Sequence, residues 1–233
     1  MGVDLTIIGN HSIPFRNKEI ESKTNIVDLL NSLKFEESEF LIGKRKLWNS
    51  AHLYSDVWGE EFRRRNEEEL ERCLKIHSWQ FKDYEDDNYC SDSKHYSLVG
   101  PYGLNLQMNK YFFDISIWVS RYHNWFNTKE DYDVLWRDKW RFIVYKVTNI
   151  LGGNYVIYLP DISMYSPIDY CFPKEMEEHL QVDIKDLDHL IKVISEKHSK
   201  PIKLAEADKM FNKSHKELFV IDKFEDLDKT LKI

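Results

Sequence analysis

The sequence predicts an α+β protein: a mostly antiparallel sheet with packed helices, in a single domain. Three observations point there. Apolar and polar residues alternate in several short stretches, the period-two signature of half-buried strands. In two longer stretches apolar residues recur at steps of three and four, the signature of amphipathic helices. The two clearest strands follow one another across a short polar turn, whereas parallel neighbours need a long crossover between them. The 233 residues carry no internal repeat, low-complexity linker or composition break. Residues 1–233 are therefore read as one domain, with a polar loop near 82–95 as the one candidate hinge.

Taken in order, Val3, Leu5 and Ile7 alternate and predict a first strand. Ile26, Leu29, Leu30 and Leu33 share one helical stripe, with Thr24 as the expected N-cap. Between 35 and 58 only "EFLIG", residues 39–43, has strand character. Residues 60–79 predict a polar helix. Glu60–Arg64, Glu61–Arg65, Glu68–Arg72 and Glu71–Lys75 are spaced as i,i+4 ion pairs, so the "RRR" run is read as a solvated face rather than a phosphate patch. Leu104, Leu106 and Met108 alternate, then Phe113, Ile115 and Ile117; Asn109-Lys110 is the expected hairpin turn.

The strongest helix signal follows. Thr128 and Asp131 make a capping-box-like start, Glu130 and Asp131 suit the first turn, and Trp136, Trp140, Ile143, Val147 and Ile150 mark the core stripe. Gly152-Gly153 is the stop signal. "NYVIYLPD" predicts a buried strand ending at Pro160. A further helix is expected from an Asp183 cap, turning Ile184, Leu187, Leu190, Ile191 and Ile194 inward and stopping at Pro201. "LFVID" predicts the last strand.

Composition narrows the function classes. Aromatic residues reach a high 14%; much of this must be core, and a surplus of rings is also what interfaces and ring-binding pockets use. The net charge of −7 argues against general nucleic-acid binding, which rests on neutralising phosphates. No apolar run approaches the length of a membrane span, and "MGVDLTIIGNHSIPF" lacks the basic and apolar regions of an export signal. Cys73, Cys90 and Cys171 are scattered and odd in number, as expected of reduced thiols in the cytoplasm.

Four short patterns touch on chemistry. Gly9-Asn10-His11, at a strand end, resembles the metal-binding turn of calcineurin-like metallophosphoesterases, which implies Asn10 and His11 near metals and a phosphate. The resemblance covers three residues. The acid of the fourth position is Ser12 here, and too few residues precede Gly9 for the family's earlier motifs. A turn with a polar cap is the expectation instead. "DYEDDNYCSDSK" has the acidity of a calcium loop but places Asn88 and Lys94 where an EF-hand needs Gly and Glu. His95-Tyr96-Ser97 is half of a two-histidine phosphoesterase pair whose other half does not occur. Asp186, Asp188 and His189 sit near a helix start. His189 follows Asp186 by three residues and His179 follows Glu175 by four, so each of these pairs can share a helical face. Two residues are too few to hold a metal, and with Asp183 as cap the acids at that start suit dipole compensation. No P-loop, dinucleotide fingerprint, nucleophile elbow, paired Cys-x-x-Cys or zinc-protease motif is present. No metal or other cofactor is expected, and the balance leans away from an enzyme.

The stretch "SRYHNWFN" crowds five large recognition-type side chains onto a strand-to-helix connection. Arg121, Tyr122, His123 and Trp125 are the expected binding residues, because Arg, Tyr and Trp bury area while keeping a polar tip. The function expected from these features is a cytoplasmic binding or inhibitor protein, immunity-like or counter-defence-like, that occludes a protein partner. The alternative is a protein that binds a small molecule or nucleotide derivative, or an unmarked hydrolase or phosphoesterase using His95 or His11.

Overall fold

The computed structural model describes residues 5–16, 19–42, 45–46, 68, 71–72, 75–82, 96–117, 131–160, 184–197, 200–210 and 219–227. In chain order the elements are β1 (Leu5–Gly9), β2 (Phe15–Arg16), β3 (Glu19–Ile20), α1 (Lys23–Ser32), β4 (Leu41–Ile42), β5 (Arg45–Lys46), β6 (Gln80–Phe81), β7 (Tyr96–Val99), β8 (Leu104–Met108), β9 (Phe113–Ile117), α2 (Asp131–Ile150), β10 (Val156–Pro160), α3 (Leu187–Lys197), β11 (Ile202–Lys203), α4 (Leu204–Met210) and β12 (Val220–Asp222). Eight strands form one sheet in the order β11-β12-β10-β1-β9-β8-β7-β6, and β2–β3 and β4–β5 are separate small hairpins. Every pair in the large sheet is antiparallel except β11–β12. The fold is thus α+β with a mostly antiparallel sheet.

Alternation along each strand sends two sets of side chains to opposite faces. The first face carries Leu5 and Ile7 of β1, Leu104, Leu106 and Met108 of β8, Phe113 and Ile115 of β9, and Val156 and Tyr158 of β10, and it packs against α1 and α2. Trp140 and Ile143 of α2 are 1% and 0% exposed in this core. The second face carries Ile8, Ile157 and Leu159 under Leu187, Leu190, Val193 and Ile194 of α3. Central strands β1 and β10 are therefore apolar on both faces. That is why "TII" and "VIYL" read as continuous apolar runs rather than clean alternations.

Several boundaries differ from the sequence expectation, each for a local reason. Helix α1 is capped by Ser22, not Thr24: the Asn25 amide donates to Ser22 Oγ at 3.3 Å. The β8–β9 connection spans Asn109–Phe112 rather than a two-residue turn. Asn109 Oδ1 accepts from the Tyr111 and Phe112 amides at 2.8 and 3.1 Å, and the Asn109 amide donates to the Phe112 carbonyl at 3.1 Å. Without a glycine the tight primed turn is unfavourable, and the Asn side chain organises a wider one. Helix α3 starts at Leu187, and its cap is Asp186 rather than Asp183: Asp186 Oδ1 accepts from the His189 amide at 2.7 Å. Ile184 is buried ahead of the helix, not within it. Strands β2, β3, β5, β6, β7 and β11 and helix α4 are short, and no clear sequence period marks them.

The end of α2 follows the Gly152-Gly153 signal. The Gly153 amide donates to the Thr148 carbonyl at 2.9 Å and the Gly152 amide to Asn149 at 3.0 Å, with Gly152 at φ +75. This paired closure of the last turn needs a left-handed residue, which glycine adopts without a Cβ clash. Gly153 is demanded by packing instead: a Cβ there would lie 2.0 Å from the Asn10 carbonyl oxygen.

The loop expected near 82–95 is described only at Lys82, and the rest lies outside the described residues, as do Thr128, Glu130 and most of the 60–79 segment. Among the described residues no helix is long and apolar enough to cross a membrane.

Candidate functional site

The residues expected to bind, Arg121, Tyr122, His123 and Trp125, lie outside the described residues, and so do His95, Glu175, His179, Cys73, Cys90 and Cys171. The other patterns can be followed atom by atom.

Gly9-Asn10-His11 forms a docking turn. Asn10 Oδ1 accepts from the Asn154 and Tyr155 amides at 3.0 and 3.3 Å, and its Nδ2 donates to Asn154 Oδ1 at 2.9 Å. Ser12 closes the contact by donating its amide to the Leu151 carbonyl at 2.9 Å. His11 Nδ1 accepts from the Ile13 amide at 3.1 Å, which leaves Nε2 to donate to the Asn109 carbonyl at 2.8 Å. Burial lowers the His11 pKa, so the neutral ring that these contacts require is favoured. Both ring nitrogens are committed to the backbone, and the triplet ties the end of β1 to the C-terminus of α2. The Asp186–His189 group is likewise occupied. Asp186 caps α3, His189 Nδ1 accepts from the Lys185 amide at 3.2 Å, and Asp188 accepts from the Tyr155 hydroxyl at 2.7 Å. Among the described residues no group of three or more His, Cys, Asp or Glu is arranged to hold a metal ion.

Two clusters of buried polar side chains remain, besides the single indole Nε1 groups of Trp79 and Trp140, which are also buried without a hydrogen-bond partner. The first centres on Arg141 of α2, which is 1% exposed. Its Nε and Nη2 donate to Asp222 at 2.7 and 3.0 Å; Nη2 and Nη1 donate to Asp226 at 2.7 and 3.3 Å; Nη1 also reaches Asp138 at 3.1 Å. All five N–H groups of the guanidinium are thereby placed. Asp222 is closed as well, since it accepts from the Tyr158 hydroxyl and the Phe224 amide, both at 2.9 Å. Burial opposes the charge on Arg141, but hydrogen bonds to Asp222 and Asp226 override it and hold the guanidinium protonated. This cluster joins α2 to β12 and the segment after it.

The second group lies on the second face of the sheet, in register with Ile8 of β1. Ser97 of β7 pairs with Gln107 of β8, Gln107 with Asp114 of β9, and Asp114 with Ile8 of β1. With strands about 4.8 Å apart, three polar side chains stand side by side in one row. Asn105 and Ser116 form a second rank two residues along. Ser97 and Asp114 are each 8% exposed, Gln107 and Asn105 are half-buried, and Ser116 is exposed, so the patch grades from interior to solvent.

Ser97 Oγ and Asp114 Oδ1 are buried without any hydrogen-bond partner. Gln107 has no side-chain hydrogen bond among the described residues, and Asn105 donates only to the nearby Gly103 carbonyl at 3.2 Å. Burial pushes the Asp114 carboxyl up to about 7, opposed by the Ile7 backbone N–H. Buried polar atoms in native proteins nearly always find a partner, and a carboxylate with an open valence in a low-dielectric setting is costly. These features define a protein with a polar, hydrogen-bond-ready patch set into an otherwise apolar sheet.

Compared with known proteins, the chain matches no family model, no curated protein and no solved structure.

The period of "LNLQM" and "FDISI" marks their inward residues and leaves Asn105, Gln107, Asp114 and Ser116 looking like the ordinary outward set of an antiparallel strand. One signal was present: Asp is depleted in strands, and Asp114 stands between Phe113 and Ile115.

Proposed function

We propose that the protein binds a small ligand, and that the row Ser97–Gln107–Asp114 recognises its polar edge. One observation carries this reading: a buried carboxylate oxygen, Asp114 Oδ1, has no partner, and its residue stands in register with Gln107, which makes no side-chain hydrogen bond among the described residues, and through Gln107 with Ser97, whose hydroxyl is also buried without a partner. Ligand sites combine apolar surroundings with a few placed polar groups, and this patch has that composition, with Ile8 beside it and Val99 facing Asn105. The reading belongs with the small-molecule alternative expected from the sequence, and the cytoplasmic setting expected from the scattered cysteines goes with it. Occlusion of a protein partner rests on Arg121, Tyr122, His123 and Trp125. Among the described residues Val134, 36% exposed, is the sole large hydrophobic side chain on the surface, so no apolar docking patch speaks for that reading there.

The test is ligand-observed NMR with a library of small polar fragments, run on the native protein and on Gln107→Ala. Gln107 is half-buried and makes no side-chain hydrogen bond among the described residues, so its truncation spares the fold. Fragments that bind the native protein and lose about tenfold or more in affinity with Gln107→Ala support the row as the site. A library whose binders are all indifferent to Gln107→Ala and Ser97→Ala overturns it.

A further inference from the structure

We propose that the group received by this row is a protonated nitrogen (an ammonium, amidinium or guanidinium) with the Asp114 carboxylate as its counter-ion and Gln107 as the neutral partner beside it. This inference rests on the row being a ligand site, and it names the chemistry of what binds there.

The argument begins with what the row lacks. An ionised carboxylate only accepts hydrogen bonds, and Asp114 Oδ1 receives none. The Gln107 amide is on the neighbouring strand in register, yet it makes no bond to Asp114. In the ionised form of Asp114 the missing group is therefore a donor, and a cation that supplies it also draws the carboxyl, which burial holds up to about 7, into that form. A neutral donor offsets only part of the cost of burying a full negative charge, whereas a cation removes it.

The protein itself shows which donor serves a buried aspartate. Asp222, 3% exposed on the other face of the same sheet, is held by two parallel bonds from a guanidinium at 2.7 and 3.0 Å. Asp114 lies at comparable depth, and no described residue supplies it with a cation. Long-range electrostatics act in the same direction, since a net charge of −7 draws cations toward the molecule and repels anions. An inorganic dication fits less well. Calcium and magnesium hold a shell of six or more oxygens, and beside this row's one carboxylate, one amide and one hydroxyl most of that shell would have to be water, which a buried row excludes.

The experiment uses three probes of one size: butylguanidinium, butylammonium and the neutral isostere butylurea, each titrated into the full chain by calorimetry or ligand-observed NMR. The expected result is binding of at least one cation about tenfold or more tighter than butylurea, with that preference abolished by Asp114→Asn while the melt remains cooperative. Asparagine keeps the shape and removes the charge, so a folded Asp114→Asn protein isolates the electrostatic contribution. Equal or tighter binding of butylurea, weakened by Gln107→Ala, overturns the cation and leaves the row standing as a site for a neutral ligand. Cation binding that survives Asp114→Asn overturns the counter-ion assignment. Failure of all three probes to bind at millimolar concentration overturns the proposal as well, and the fragment screen against Gln107→Ala then decides separately whether the row is a site.

Discussion

The Arg141 cluster and the Asp114 row occupy opposite faces of one sheet at similar depth, yet they differ in completeness. Around Arg141 every guanidinium N–H has an acceptor, and Asp222 accepts from Arg141, Tyr158 and the Phe224 amide. Around Asp114 a carboxylate oxygen and a serine hydroxyl are buried with nothing to meet them. A closed network holds elements together and has no capacity left for another molecule. An open one costs the fold free energy, and such a cost persists in native proteins mainly where something else makes use of it. Burial and charge alone would have ranked the Arg141 cluster first as a site. The valence count reverses that order.

The comparison breaks most readily at Arg141. Arg141→Met keeps much of the side chain's length and removes the guanidinium, leaving Asp222 buried opposite an apolar group. Chemical denaturation should show a loss of about 3–5 kcal/mol, the cost of orphaning one partner of a buried pair. A loss below about 1 kcal/mol would mean that the cluster is not the structural tie described here.

The next largest effect belongs to Asp114 and has the opposite character. Its carboxyl titrates at about 7 in the fold, against 3.8 ordinarily, so between these values the folded state holds a proton that the unfolded chain has released. The stability attached to this group is full below about 4 and is lost as pH rises through about 7. The total is up to about 4 kcal/mol at one pKa unit per 1.36 kcal/mol. Denaturation measured from pH 5 to pH 8 should show that decline, and Asp114→Asn should flatten it and be more stable than the native chain at pH 8. A native chain that gains stability over that interval, with Asp114→Asn no more stable at pH 8, would show that the carboxylate is already compensated.

The smallest effect sharpens the contrast from the other side. Hydrogen bonding to Arg141 holds Asp226 below its usual value, so its contribution is present above the unfolded value and is lost as pH falls through the folded one. The side chain is 66% exposed, and solvent screening limits Asp226→Asn to about 1 kcal/mol or less. The loss should shrink further in high salt. A salt-independent loss as large as that of Arg141→Met would place Asp226 inside the closed network rather than at its rim.

Much of this was legible residue by residue. The Trp136, Trp140, Ile143 and Val147 stripe did identify a core helix, because helix neighbours three and four apart share a face whatever surrounds them. The β8 and β9 alternation likewise separated Leu104, Leu106, Met108, Phe113 and Ile115 from Asn105, Gln107, Asp114 and Ser116. Gly152-Gly153 ended α2 as expected. Boundaries were harder to place: several nearby polar residues competed to cap α1 and α3, and Ser22 and Asp186 made the bonds rather than Thr24 and Asp183. The His11 and Asp186–His189 patterns had the right residue types for chemistry, but both His11 nitrogens, Asp186 and His189 Nδ1 are engaged by backbone N–H or C=O groups, and Asp188 by the Tyr155 hydroxyl, contacts that no short motif reveals.

By itself, then, the sequence determined which side of each strand and helix is apolar, because those periods are local properties of the backbone. It did not determine that β9 would lie between β8 and β1, which sets Asp114 beside Ile8 across more than a hundred residues of chain and away from the sheet edge. Nor did it determine that Arg141 would meet Asp222, 81 residues away. Strand order and long-range ion pairs are settled by how the whole chain shares its buried area. The same tertiary arrangement that closed every bond around Arg141 left Asp114 in the middle of a sheet with one oxygen unanswered, and only that arrangement distinguishes a carboxylate bound into the fold from one with an open valence.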